Sequence, residues 1–151
     1  MKNIAFFLGA SLLLFSCKSD SIKVQESNKT IKYKETVSLP ASSVTLTFTE
    51  VDDSRCPEGV TCFRAGSAIV DLDLKKLDLK TASSFSESQR VTMCLGDCIT
   101  QTPRTGFREA DTARVSLAGV NYTLILTEVL PYPNAARPVE KKDYEIKLTI
   151  Q

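Results

Sequence analysis

The sequence predicts an all-β fold: an antiparallel β-sandwich of about seven strands, immunoglobulin-like in size, with a small antiparallel barrel as the alternative. Three observations carry this prediction. Apolar and polar residues alternate with period two through most of the chain beyond Thr30. Turn formers separate the alternating runs. No long run of helical period appears after Ser16.

A weak first strand is expected over 31–39, ending at Pro40, which cannot donate to a ladder. Val44, Leu46 and Phe48 then alternate with Thr45, Thr47 and Thr49, giving one apolar and one threonine-rich face. Ala68, Val70, Leu72 and Leu74 form the third run, and Val91, Met93 and Leu95 the fourth. Val115 and Leu117 form the fifth, and Val120, Tyr122, Leu124 and Leu126 the sixth. Ala118-Gly119 between these two predicts a tight antiparallel hairpin. The last run is the cleanest, with Tyr144, Ile146, Leu148 and Ile150 set against Glu145, Lys147, Thr149 and Gln151. One wet face and one dry face per strand suits two antiparallel sheets packed together.

Two longer connections interrupt the rhythm: 99–111, with Pro103 and Gly106, and 131–142, with Pro131, Pro133 and Pro138. The charged segment KKLDLK at 75–80 reads as a strand end or a solvated edge. No internal repeat is visible.

Composition narrows the function classes. The chain has 151 residues and a net charge of +1, with no cluster of basic residues longer than a pair such as Lys141-Lys142, which gives no support for a nucleic acid partner. It has no histidine, so the commonest general base and commonest metal ligand are both missing. Asp52, Asp53, Glu58 and Asp97 are catalytic candidates by residue type only, and their spacing marks no acid–base pair. The reading is therefore non-enzymatic, with no cofactor.

The N-terminus predicts export. Lys2 precedes an apolar run from Ile4 to Phe15, too short to span a bilayer as a mature helix but suited to a signal peptide. It ends in Leu14-Phe15-Ser16-Cys17, which resembles the lipobox of bacterial lipoproteins. The resemblance implies cleavage after Ser16, acylation of Cys17 and attachment to the outer membrane, facing the periplasm or the outside. The expected organisation is a signal peptide over 1–16, a lipidated Cys17 with a flexible tether over 17–30, and a β domain over 31–151. The processed chain would begin at Cys17 and carry no net side-chain charge, since the loss of Lys2 leaves basic and acidic residues equal in number.

Four other cysteines remain: Cys56, Cys62, Cys94 and Cys98. In an oxidising compartment an even number reads as disulfides, with local pairing the simplest of three arrangements, because Gly59 and Gly96 can turn the chain back within each pair. A four-thiolate zinc site is the alternative, although only the second pair has a usual ligand gap.

The first pair lies in DSRCPEGVTCFRAG, 53–66. This stretch resembles a motif, DSRCP-x-x-V-x-C-x-x-AG, of an uncharacterised family of secreted and lipid-anchored bacterial proteins. Asp53 to Pro57, Val60, Cys62, Ala65 and Gly66 match it, and a weaker likeness continues through Tyr122, Pro131-Tyr132-Pro133 and Asp143-Tyr144. The family carries Trp where this chain has Arg64, so a role for an aromatic there does not transfer. The resemblance implies a secreted β domain with a paired-cysteine loop.

Two binding expectations follow. The disulfide-closed loop, with Asp53, Arg55, Pro57, Glu58 and Arg64, is the candidate recognition element for a protein, a glycan or an inhibited protease. The protease version requires an exposed, extended loop. Asp53 is also expected to bond backbone N–H groups ahead of Cys56, or to pair with an arginine. Calcium at Asp52, Asp53 and Asp97 is a minor alternative.

Overall fold

The computed structural model describes residues 25–40, 42–77, 85–99 and 106–151. The expected signal peptide, the lipobox and most of the expected tether lie outside the described residues. The two alternating faces build two antiparallel sheets packed against each other and not closed on themselves, so the chain is a β-sandwich rather than the barrel. The first sheet has the order β1 (Ser27–Lys32), β9 (Glu145–Ile150), β8 (Val120–Leu130), β7 (Asp111–Leu117). The second has the order β2 (Thr36–Ser38), β3 (Val44–Asp53), β4 (Ser67–Leu77), β5 (Phe85–Asp97), β6 (Phe107–Arg108). Inward residues of both sheets, among them Phe48, Leu72, Met93, Tyr122, Leu126 and Leu148, are fully buried and form one core.

Among the described residues nine strands stand where about seven were expected, and each difference has a local cause. The expected strand over 31–39 is two strands, one in each sheet. Lys34 takes a left-handed φ of 65° between them, and a tight turn closes from Glu35 N–H to the Lys32 carbonyl at 2.9 Å. The chain therefore crosses from one sheet to the other. The domain also starts earlier than residue 31: Ser27 to Thr30, assigned by sequence to the tether, pair in register with Ile150 to Lys147. Their side chains are polar because they sit on an edge strand, which is why they read as linker. The connection over 99–111 contains β6, a two-residue strand pairing with Gly96 and Asp97.

The predicted hairpin is present, with φ of 56° at Ala118 and 75° at Gly119, the paired positive values that suit the twist of the flanking strands. The two long strands β3 and β8 carry the same device. Register slips between Phe48 and Glu50 and between Leu126 and Glu128, within two copies of Thr-Glu-Val. Each bulged threonine donates its hydroxyl to a carbonyl of the neighbouring strand, Thr49 to Asp71 at 3.0 Å and Thr127 to Lys147 at 3.3 Å. The extra residue shifts the alternation by one, so Val51 and Val129 face the core.

Candidate functional site

Three connections meet at one end of the sandwich: 54–66 between β3 and β4, the described residues between β5 and β7, and 131–144 between β8 and β9. Backbone bonds join them. Ser54 N–H donates to the Ser67 carbonyl at 2.8 Å, Asp97 N–H to Gly66 at 2.8 Å, and Glu58 N–H to Pro133 at 2.9 Å. Ser27 lies towards the other end, paired with Ile150, whose other neighbour is Leu124. The chain thus enters the sandwich far from the loop cluster.

Arg55 organises this pole. Its Nε donates to Asp53 Oδ1 at 2.8 Å and its Nη2 to Asp53 Oδ2 at 2.6 Å. Its remaining donors reach the carbonyls of Val129 at 2.9 Å and Pro131 at 3.2 Å, in and just after β8. The guanidinium carbon stands 4.5 Å from the centre of the Tyr132 ring. Asp53 also accepts from the Arg55 N–H at 3.1 Å and from the Tyr144 hydroxyl at 3.0 Å. Side-chain exposure is 2% for Asp53 and 10% for Arg55, so this is a desolvated, fully partnered pair joining the two sheets. Burial first, then the neighbouring Asp53 charge and hydrogen bond, pushes the Tyr144 hydroxyl up to about 12.

The cysteines pair locally, Cys56 with Cys62 and Cys94 with Cys98. The zinc alternative is overturned, because the four sulfurs lie in two separate covalent bonds. Cys94 sits on the face of β5 opposite Met93 yet is buried. Its N–H donates to the buried Asp111 carboxylate at 3.0 Å, and Arg108 pairs with that carboxylate at 3.2 Å. The acidic residues named for calcium are not gathered into one site among the described residues. Asp53 is committed to Arg55 and Tyr144, Asp97 faces Arg64 at 3.5 Å, and among the described residues no three acidic, His or Cys side chains gather as a metal site.

The first disulfide loop projects. Every residue from Glu58 to Ala65 is exposed, and Phe63 is 101% exposed. The loop bends at Val60 and again at Phe63 and Arg64, so it is exposed but not the extended segment a protease requires. Val60, Ile99, Phe107 and Tyr132 add further exposed apolar surface on these connections. Gly66 closes the loop with φ of 69°, and a Cβ there would stand 1.9 Å from the Ser54 carbonyl oxygen.

No family model, curated protein or solved structure matches this chain. The site is therefore read from its own geometry. Of the sequence-predicted loop residues, Asp53 and Arg55 are structural. Pro57 is half-buried, while Glu58 and Arg64 face solvent. Residues the sequence reading passed over form a cleft of about 450 Å³ beside the loop, lined by Tyr132, Asn134, Arg137, Pro138 and Asp143 together with Glu58. A second cleft of about 470 Å³ adjoins it through the shared Val139 and contains the ion pair of Glu50 and Lys141. That pair lowers the Glu50 pKa and raises that of Lys141 through their mutual hydrogen bond. Tyr132 entered the sequence reading only as the residue between two prolines in the weaker part of the family likeness, with no site role.

Proposed function

We propose that the protein is a non-enzymatic lipoprotein of the bacterial cell envelope, tethered through an acylated Cys17, whose β-sandwich presents the loop pole to a partner. The carrying observation is polarity: the chain enters at Ser27 on one side, and the exposed 58–65 loop lies towards the opposite end. Strands of about ten residues at roughly 3.3 Å per residue separate the two by about 30 Å. A tether attached at one end leaves the other end free to meet molecules away from the anchoring membrane. The two disulfides fit an exported protein.

The loop supports binding for a physical reason. Arg55, the disulfide and the backbone bonds of Glu58 with Pro133 and Ala135 fix its base, so little ordering cost falls on a partner that engages it. Phe63 contributes nothing to packing in the free protein, and a large exposed aromatic on a rigid loop is a suitable anchor for a partner's pocket.

Two measurements test this reading. Wild-type protein grown with an alkyne fatty acid should be labelled and membrane-bound, and Cys17→Ala should lose both properties. Unlabelled wild-type protein would sink the anchor. A photo-crosslinking residue at Phe63 should capture a discrete envelope component that the same residue placed at Lys29, on β1, does not. Identical patterns from both positions would sink the loop-pole assignment.

A further inference from the structure

We propose that the cleft lined by Tyr132 is a saccharide-binding site, an inference that rests on reading the loop pole as a recognition surface and names a ligand class for it. Tyr132 lines the cleft and is 43% exposed. One face of its ring is taken by the Arg55 guanidinium at 4.5 Å. Arg55 is itself held by Asp53 and by two backbone carbonyls, so the ring is fixed before any ligand arrives. The other face is the platform on which the C–H face of a sugar ring stacks. Pro131 and Pro138 extend the apolar floor with residues that lose little freedom on binding.

The rim supplies both senses of hydrogen bonding. Glu58 and Asp143 are acceptors, and neither forms an ion pair among the described residues. Arg137 is an exposed donor. Asn134 uses its side-chain oxygen to accept from the Ala136 N–H at 2.9 Å and one amide hydrogen toward Glu58 at 3.4 Å, which leaves a second amide hydrogen to donate. One aromatic platform ringed by interleaved acceptors and donors matches a sugar, which has an apolar ring face and hydroxyls around its edge. A proline-rich peptide matches it less well. Such a segment stacks on several aromatics and brings few side-chain donors, so the two carboxylates would lose water without replacement.

The test uses the full chain, exported, processed and purified in a detergent without a sugar headgroup. Chitotriose, cellotriose and mannotriose are titrated separately by NMR up to about 10 mM, roughly ten times a millimolar dissociation constant. A proline-rich decapeptide is the counter-probe. The expected result is that at least one trisaccharide saturates with shifts confined to 131–143 and Glu58. Tyr132→Ala should weaken it at least tenfold, and Arg137→Ala, at an exposed position with no fold role, should weaken it severalfold. Lys29→Ala, on β1 and outside the cleft, should leave it unchanged. Absence of saturation by all three sugars overturns the proposal, as does saturation that survives both Tyr132→Ala and Arg137→Ala, or tighter binding of the peptide in the same cleft. These failures would not touch the Cys17 labelling or the Phe63 crosslink, so the broader reading is judged separately.

Discussion

Arg55 and Asp53, two positions apart at the end of β3, form a bidentate ion pair that the fold buries between its two sheets. The pair converts what the sequence offers as two loop charges into a cross-sheet clamp. Arg55 commits its other donors to the Val129 and Pro131 carbonyls, and Asp53 takes the Tyr144 hydroxyl. On the proposed reading, recognition at this pole would fall to what the clamp leaves outside: Phe63, Arg64, Glu58 and the face of Tyr132.

Removing one partner of the clamp should cost far more than its place at the end of a strand suggests. Arg55→Ala leaves the Asp53 carboxylate desolvated and two carbonyls without their donor, a loss of about 3–5 kcal/mol. Arg55→Lys should recover little, because an ammonium lacks the planar fork that spans both carboxylate oxygens. Urea unfolding monitored at constant slope measures both. A loss below about 1 kcal/mol for Arg55→Ala would place the pair with ordinary surface ion pairs.

The Tyr144–Asp53 contact predicts an alkaline limit. The Tyr144 hydroxyl is pushed up to about 12 in the fold, whereas an unfolded tyrosine ionises near 10. Its contribution is complete below about pH 10, and above that the unfolded chain releases the proton first. Stability contributed by this group therefore falls as pH rises from about 10 towards 12. Tyr144→Phe should unfold more easily at neutral pH, by about 1–2 kcal/mol for a lost bond to a charged acceptor, and should show a shallower alkaline decline. Parallel declines for the two proteins between pH 9 and 11 would contradict the assignment.

Gly66 should tolerate no side chain. Its φ of 69° is strained for any L-residue, and a Cβ would meet the Ser54 carbonyl oxygen at 1.9 Å, where the nearest atoms are all Ser54–Arg55 backbone rather than a flexible side chain. Gly66→Ala should destabilise by at least about 2–3 kcal/mol, within the range of strong backbone and packing effects. By contrast Gly59→Ala, whose Cβ would enter open space, carries only the conformational penalty of its positive φ. Thermal melts of the two variants should differ clearly, with Gly66→Ala the lower.

The sandwich was legible because period-two alternation states directly which residues face the core, from Val44 to Phe48 and from Val120 to Leu126. It stopped being legible where alternation breaks. Val51 and Val129 fall out of phase, and only the bulges at Thr49 and Thr127 bring them inward. The repeated Thr-Glu-Val triplet is the one sequence signal that marks both positions. The crossing between sheets at Lys34 was hidden because nothing in a lysine announces a left-handed φ. At the loop pole, the spacing of Cys56 and Cys62 around Gly59 located the loop, and Asp53 suggested an arginine partner. Tyr132, Arg137 and Asp143 lie several strands further along the chain from that loop, and only the folded chain brings them beside Glu58.

The two disulfides should respond to reductant in a fixed order. Each closes a short loop and contributes roughly 2 kcal/mol in the chain-entropy account, so loop length does not distinguish them. Access does. Exchange requires a thiolate to reach one of the sulfurs. Cys62 is exposed within the 58–65 loop, whereas Cys94 and Cys98 are both buried, with Asp111 bonded to the Cys94 backbone. A small dithiol under native conditions should open Cys56–Cys62 first, leaving the sandwich folded because the clamp and the Cys56 N–H bond to the Ala65 carbonyl still hold the loop base. Cys94–Cys98 should open only with unfolding of the end of β5. Timed alkylation followed by peptide mass mapping reads the order. Label appearing on Cys94 and Cys98 as early as on Cys56 and Cys62 would mean that the β5 end opens readily in the native state, and that burial does not protect the second bond.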